Sequence, residues 1–126
     1  MGPRKMAGSV VSVIDDDESV RESLPGLVKA FGFAVCAFSS AEEFLASNRV
    51  SQTGCLILDV AMPGMSGPEL QIELKRRQLN IPIIFITARR DEAVRTHLLD
   101  RGAVECLYKP FSGPALLKAL QSVFRV

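Results

Sequence analysis

Short runs of apolar residues alternate along the chain with longer segments whose apolar positions recur at helical spacing. The apolar runs span residues 10–14, 33–38, 55–58, 82–87 and 104–108. The helical patterns run up to Phe31 before Gly32, after Ser40, from Ser66 to Arg77, over 91–101 before Gly102, and from Ser112 to about Phe124. Because strands are short and helices repeat every three to four residues, this pattern predicts five strands alternating with five helices.

Alternation of this kind predicts a doubly wound α/β fold. Strands joined through helices need right-handed crossovers, which give a parallel sheet covered by helices on both faces. The run at 55–58 is apolar enough for a central strand that is buried on both faces. At 126 residues the chain has the size of one domain. We therefore expect residues 9–126 to form a single domain and residues 1–8 to be a disordered leader.

Two kinds of local signal mark the helix boundaries. The S-x-x-E spacing at residues 40–43 and 66–69 predicts a capping box at the start of the second and third helices. Pro25 and Gly26 lie inside the first helical pattern, where a proline removes a backbone donor and clashes with the preceding turn. We therefore expect a kink or a local rearrangement in the first helix.

Composition and charge exclude several classes of protein. Fifteen basic residues balance fourteen acidic ones without a run of five or six like charges, so nothing indicates direct binding to nucleic acid or to an anionic membrane. No apolar stretch approaches the roughly 20 residues of a membrane span, and no signal peptide is evident. Cys36, Cys55 and Cys106 are widely spaced within apolar segments. We expect these thiols to be buried and reduced, and the protein to be cytoplasmic.

Polar side chains close four of the five predicted strands. These residues are Asp15, Asp16 and Asp17 after the first strand, Asp59 after the third, Thr87 after the fourth and Lys109 after the fifth. A single such residue is usually a turn or cap residue. The carboxyl ends of parallel strands, however, share one edge of the sheet, where ligands bind in α/β folds. We therefore expect the six side chains to lie near one site.

The clustered acids predict a divalent cation. Mg²⁺ prefers oxygen ligands, takes one or two carboxylates from the protein and binds phosphate groups. Without a cation, crowded carboxylates repel one another and their pKa values rise. Asp15, Asp16 and Asp59 are the predicted Mg²⁺ ligands, with Mn²⁺ as a substitute. Asp17 stands just before a helical pattern, where a capping residue is needed.

Asp59 is the predicted nucleophile of this site. It is solitary, central and followed by a loop, which suits a carboxylate that accepts a phosphoryl group as an acyl phosphate. The Thr87 hydroxyl and the Lys109 ammonium would then contact the phosphoryl oxygens. The only histidine, His97, lies within a helix without a partner histidine, and we expect it at the surface.

Four stretches of the sequence resemble the receiver domain of two-component response regulators. They are residues 14–21 (IDDDESVR), 56–67 (LILDVAMPGMSG), 84–88 (IFITA) and 108–111 (YKPF). They follow the order and spacing of that family, and the likeness extends from about Val10 to Phe124. The sequence is most similar to that of FixJ-type receivers, especially at residues 40–45 and 102–105.

The resemblance implies a flavodoxin-like sheet of strand order 2-1-3-4-5 and a role in signalling rather than as a separate enzyme. A sensor histidine kinase or a histidine phosphotransfer protein would phosphorylate Asp59. The fourth helix, the fifth strand and the fifth helix would form the output surface, and a phosphorylation-dependent dimer is left open.

The resemblance also assigns roles to individual residues. Asp16 would be the main Mg²⁺ carboxylate with Asp15 supporting it, and Ala61 would contribute its backbone carbonyl. Thr87 would swing toward the phosphoryl oxygens. Lys109 would pair with the same oxygens, and its peptide bond to the following proline would be cis.

One position departs from the pattern of the family. The residue three positions before the lysine is usually aromatic, but here it is Cys106. Tyr108 lies two residues further on, and therefore on the same strand face. We hypothesise that Tyr108 takes part of the output role that follows a change at Thr87. Ala61 and Arg89 occupy positions that tune the lifetime of the acyl phosphate in the family.

Two alternatives are left open by the residues. The chain could be the receiver portion of a DNA-binding transcription factor whose output domain is absent. Because the sequence ends at Val126, just after the predicted last helix, we expect a stand-alone regulator. The triplet at 15–17 also resembles the nucleophile motif of haloacid-dehalogenase-type phosphatases. That family needs Thr or Val where this chain has Ser19, needs an acidic pair after the position of Lys109, and would leave Asp59 unexplained.

Overall fold

Five strands and five α-helices alternate along residues 9–124, the part of the chain that the structure, a computed structural model, describes. The predicted leader at residues 1–8 lies outside the described residues. The strands are β1 (Val10–Ile14), β2 (Ala34–Phe38), β3 (Thr53–Asp59), β4 (Ile83–Thr87) and β5 (Glu105–Tyr108). The helices are α1 (Glu18–Ala30), α2 (Ala41–Ala46), α3 (Gly67–Arg76), α4 (Glu92–Asp100) and α5 (Gly113–Phe124).

The strands form one parallel sheet in the order β2-β1-β3-β4-β5, which confirms the predicted fold and strand order. The central strand is β3, and it is buried along almost its whole length. Ile14 of β1 lies opposite Leu58 of β3, while Asp59 at the end of β3 lies opposite Ile86 of β4. This register brings the carboxyl ends of β1, β3 and β4 to one edge of the sheet.

Each face of the sheet packs against its own set of helices. On β3, Leu56 and Leu58 belong to a core shared with α2, α3 and α4, whereas Cys55 and Ile57 belong to a second core shared with α1 and α5. Neighbouring residues of a strand point to opposite faces, so one central strand supplies both cores. The helices on both faces exclude water from the strands and leave the ends of the strands as the accessible edge.

The predicted burial of the three cysteines is wrong for one of them. Cys55 and Cys106 are buried, but Cys36 is only partly buried. Cys36 lies on β2, which is the edge strand of the sheet and is incompletely covered by helices. All three are free thiols.

The structure corrects one of the predicted helix boundary signals. Helix α1 continues through Pro25 as one helix, with Leu24 and Val28 buried on either side, and the predicted kink stays a prediction. At α3, Ser66 forms the full capping box. At α2, Ser40 caps the helix, but the Glu43 carboxylate accepts from Ser39 instead of completing a box with Ser40.

Candidate functional site

Three carboxylates meet at the carboxyl edge of the sheet. Asp15 and Asp16 follow β1 and Asp59 ends β3, and one carboxylate oxygen from each lies within 4.8 Å of the others. Asp15 and Asp59 are buried, whereas Asp16 is exposed. The predicted trio of acids is thus brought together in a setting that is open to solvent on one side. This set of hard oxygen donors fits a small divalent cation such as Mg²⁺.

Lys109 is the cation that this site already contains. Its Nζ donates to Asp15 Oδ2 at 2.9 Å and lies 3.8 Å from Asp59 Oδ1. The backbone N–H of Lys109 donates to the carbonyl of Thr87 at 2.8 Å, which fixes the residue at the end of the sheet, and its peptide bond to Pro110 is cis as predicted. The ammonium therefore balances part of the acidic charge.

Asp15 is held in place by its neighbours in the fold. Its Oδ1 accepts from the backbone N–H of Asp17 at 2.9 Å, and its carbonyl accepts from the Arg21 guanidinium at 2.9 Å. Asp17 caps α1 by accepting from the backbone N–H of Ser19, as predicted. The hydrogen bond from the Ser19 hydroxyl, followed by that from its backbone N–H, lowers the pKa of Asp17.

The Asp59 carboxyl is the one most perturbed by its surroundings. Burial, followed by the neighbouring Asp15 carboxylate, raises its pKa from 3.8 to about 7, although Lys109 acts in the opposite direction. The ionised form of Asp59 is therefore poorly stabilised by the residues present. A divalent cation at the three acids would stabilise that form and lower the pKa.

Thr87 and the loop after β3 complete the edge of the site. Thr87 is buried at the end of β4, and its Oγ1 accepts from the backbone N–H of Arg89 at 3.2 Å. Gly67 begins α3 so close to the end of β3 that a Cβ there would overlap the Asp59 carbonyl. Ala61 is exposed in the loop between them, and its role as a carbonyl ligand remains a prediction.

Two residues near the site were missed by the sequence reasoning. Arg21 of α1 reaches the carbonyl of Asp15, as described above. Glu42 of α2 accepts from the backbone N–H of Met65 at 2.8 Å and packs against Gly64, which has a positive φ of 73°. Glu42 and Met65 are separated by 23 residues, so no local spacing could have indicated the contact. Arg21 and Asp15 are six residues apart across the turn that starts α1, which is not a spacing that indicates a contact on a helix.

The two residues assigned to switching lie in different environments. Cys106 is buried in the core on the α4 side of the sheet. Tyr108 lies near the surface, where its hydroxyl donates to Glu92 Oε2 at 2.7 Å and the Arg90 guanidinium carbon sits 4.9 Å from the ring centroid. Only Tyr108 thus reaches the start of α4 with a polar group. His97 is exposed, as predicted, and accepts from Arg101 at 3.0 Å.

Comparison with known proteins identifies the family. A family profile described as the response regulator receiver domain matches residues 11–121. The chain belongs to this family. Nodulation protein W of Bradyrhizobium diazoefficiens is 45% identical over 112 residues, which cover 89% of this chain and 49% of that protein. The transcriptional regulatory protein FixJ of Azorhizobium caulinodans is 39% identical over 112 residues, which cover 89% of this chain and 53% of that protein.

A solved structure supports membership of the receiver family. The crystal structure of FixJ-N matches with a TM-score of 0.83 and 37% identity, covering 92% of this chain and 93% of that one. The predicted likeness to FixJ-type receivers is therefore confirmed. The receiver chain spans about half the length of the curated relatives described above. Within residues 9–124, no helix is both long and apolar enough to cross a membrane.

Proposed function

We propose that this receiver accepts a phosphoryl group on Asp59 in a Mg²⁺-dependent reaction. The observation that carries the proposal is the approach of the Asp15, Asp16 and Asp59 carboxylates within 4.8 Å, with Lys109 Nζ 3.8 Å from Asp59. One buried carboxylate with two further carboxylates and an ammonium beside it has the parts that phosphoryl transfer requires.

Each residue of the site has a role in the proposed reaction. A carboxylate oxygen of Asp59 attacks phosphorus, so that a P–O bond forms while the P–N bond of a phosphohistidine breaks. Asp15, Asp16 and Asp59 would hold Mg²⁺ together with the Ala61 carbonyl, and the ion would supply positive charge to the phosphoryl oxygens. Lys109 and the Thr87 hydroxyl then contact the remaining oxygens, as the family resemblance implies.

The proposed phosphoryl donor is a sensor histidine kinase or a histidine phosphotransfer protein, acting on this chain in the cytoplasm. Beyond its own phosphorylation and dephosphorylation, we propose no turnover chemistry. A haloacid-dehalogenase-type phosphatase is disfavoured, because the family match is to receivers and that function would give Asp59 no role.

A second candidate function concerns the whole protein. FixJ of Azorhizobium caulinodans is a transcriptional regulatory protein, and this chain spans 53% of its length. That coverage supports the proposal that the receiver controls a DNA-binding output domain elsewhere in a longer protein. The chemistry at Asp59 is the same in both cases, and the two differ in what the phosphorylated α4, β5 and α5 surface contacts.

Acetyl phosphate tests the proposed chemistry directly. We expect the wild-type chain incubated with acetyl phosphate and Mg²⁺ to gain one phosphoryl group by intact mass, and chelation of Mg²⁺ to abolish the gain. Asp59→Asn should gain none, because the nucleophilic oxygen is lost.

Asp17→Asn is the matched control for that experiment. It removes an acid from the same triplet that caps α1 and lies outside the cluster of three carboxylates, so its phosphorylation should match that of the wild type. A phosphoryl adduct that persists in folded Asp59→Asn would overturn the proposed acceptor.

A further inference from the structure

A cavity of about 330 Å³ lies beside the start of β4. It is bounded by the last turns of α3, by the segment 79–83 that leads into β4, and by residues 101–104 after α4. Thr87 and the three acids lie at the opposite ends of the strands, so the cavity is separate from the phosphoacceptor site. We name it the Gln71 cavity, after the buried polar residue in its wall.

Most of the wall of the Gln71 cavity is apolar. Leu74 of α3 and Ile83 of β4 are buried there, and Leu79, Ile81 and Val104 are partly buried around them. Binding sites for small molecules have this character: a mainly apolar lining, a few polar groups that fix orientation, and a volume of about 300–1,000 Å³. The wall therefore favours an occupant with an apolar body.

Gln71 is the polar group that this wall leaves without a partner. The residue is 4% exposed, and its Oε1 accepts no hydrogen bond from the described residues. Folded proteins retain few such groups, because a buried polar atom without a partner costs free energy. Departures of this kind concentrate at functional sites. A ligand that donated a hydrogen bond to the amide would remove the cost.

Two cations stand where the cavity opens to solvent. Lys75 and Arg101 line it and are exposed. Lys75 Nζ reaches from α3 to 4.0 Å from the position that a Cβ on Gly102 would take, in the turn after α4. Within residues 9–124, neither cation forms an ion pair with an acidic side chain. Their charges favour an anionic group at the opening.

We propose that the Gln71 cavity binds a small organic monocarboxylate whose apolar body carries a hydrogen-bond donor. The carboxylate pairs with Lys75 and Arg101, the body contacts the apolar wall, and the donor bonds to the Gln71 amide. That amide has an acceptor and two donors on one plane, so a half turn about its last bond presents either side to the ligand. The occupant joins α3 to the turn after α4.

The probe is para-hydroxybenzoate, which combines a carboxylate, an apolar ring and a hydroxyl donor. Isothermal titration calorimetry of the wild-type chain should show one site with a Kd on the order of 1 mM, the affinity expected for so small a ligand. Benzoate lacks the donor and phenol lacks the carboxylate, so each should bind about two- to tenfold more weakly. Absence of saturable para-hydroxybenzoate binding at about ten times that concentration would overturn the proposal.

Gln71→Met tests the amide while keeping a side chain of similar shape. It should remove the preference for para-hydroxybenzoate over benzoate, because the ligand hydroxyl then has no partner in the wall. Benzoate itself should bind the variant as it binds the wild type. A preference that persists in folded Gln71→Met would overturn the assigned contact.

Lys75→Met tests the charge, and Lys29→Met is its matched control. Both lysines are exposed in the last turn of a helix, but Lys29 is on α1 and does not line the cavity. Lys75→Met should weaken para-hydroxybenzoate binding about two- to tenfold and leave phenol binding unchanged, whereas Lys29→Met should change neither. Equal losses in the two variants would show attraction to net charge alone and overturn the site.

Asp59→Asn separates this site from the phosphoacceptor. The variant should bind para-hydroxybenzoate with the wild-type Kd, because Asp59 ends β3 at the opposite edge of the sheet. Altered binding in Asp59→Asn would place the probe at the acid cluster and overturn the assignment to the Gln71 cavity.

Discussion

The pKa of the Tyr108 phenol is shifted by its surroundings. The hydrogen bond to Glu92, with smaller contributions from burial and from the charge of Glu92, raises the pKa of Tyr108 to about 12. Cys106 acts in the same direction and Arg95 in the opposite one. The hydroxyl should therefore stay protonated well above its ordinary pKa of 10.0.

Absorbance of the tyrosinate during an alkaline titration measures that pKa, since the chain contains one tyrosine. We expect wild type to titrate near 12 and Glu92→Ala nearer to the ordinary value, with circular dichroism confirming that both remain folded. A wild-type phenol that already titrates near 10 would show that the Glu92 contact is absent in solution.

The residues of the site differed in how far the sequence could predict them. Asp15, Asp16, Asp59 and Lys109 could be placed together because each follows a predicted strand and parallel strands end at one edge. The partners of Tyr108 could not, since Arg90 and Glu92 meet it only through the packing of α4 on β5. The sequence indicated the face on which Tyr108 lies, and the structure supplied its contacts.

At the scale of elements, the Gln71 cavity of about 330 Å³ lies between α3, the segment 79–83 that follows it and the turn after α4. Gln71 of α3 lines this cavity and is 4% exposed, and its Oε1 has no hydrogen-bond partner among the described residues. A buried polar atom without a partner costs free energy, and an apolar side chain of similar shape avoids that cost.

Gln71→Met should therefore raise the free energy of unfolding by about 1 kcal/mol, measured by urea denaturation. Gln71→Ala is the control, because it removes the same amide but enlarges the cavity, and it should lower the free energy of unfolding. Loss of stability in Gln71→Met would show that a water molecule in the cavity satisfies the amide.

Local signals met their limit at two places at this scale. Pro25 predicts a kink in α1 on local backbone grounds, and the helix runs through it with Leu24 and Val28 buried on either side. Cys36 was expected to be buried from its apolar neighbours, but β2 lies at the edge of the sheet. The exposure of Cys36 follows from the order of the strands, which local sequence does not contain.

For the whole molecule, the raised pKa of Asp59 links stability to pH and to the metal. The folded-state pKa of about 7 lies above the ordinary value of 3.8, so between these values the folded chain binds more protons than the unfolded chain. Without metal, this group's contribution is therefore fully present below about pH 4 and is lost as the pH rises to about 7.

Comparison with Asp59→Asn isolates that contribution from the other acids. Without Mg²⁺, the variant should be more stable than wild type at pH 8 by on the order of 2 kcal/mol, and the difference should shrink toward pH 5. Saturating Mg²⁺ at pH 8 should stabilise wild type more than the variant. Equal thermal unfolding of the two proteins at both pH values would contradict this.

The fold as a whole was predictable because periodicity and alternation leave few arrangements open. Five strand runs separated by helical segments require parallel strands with helices on both faces. The order 2-1-3-4-5 came from the family resemblance, since spacing alone does not decide which neighbour each strand takes. The resemblance was thus needed for the arrangement of strands, and the hydrophobic pattern was sufficient for their number.

Lys109 contacts Asp15 more closely than Asp59, at 2.9 Å against 3.8 Å. In the proposed reaction, a cation that took Asp15 as a ligand would release this ammonium, and a phosphoryl group that attracted the ammonium would release Asp15 for the cation. Each ligand would thus remove a competitor of the other. The two affinities would be positively coupled, and thermodynamic reciprocity requires the same factor in both directions. One lysine would thereby make metal loading and phosphoryl retention a single cooperative equilibrium.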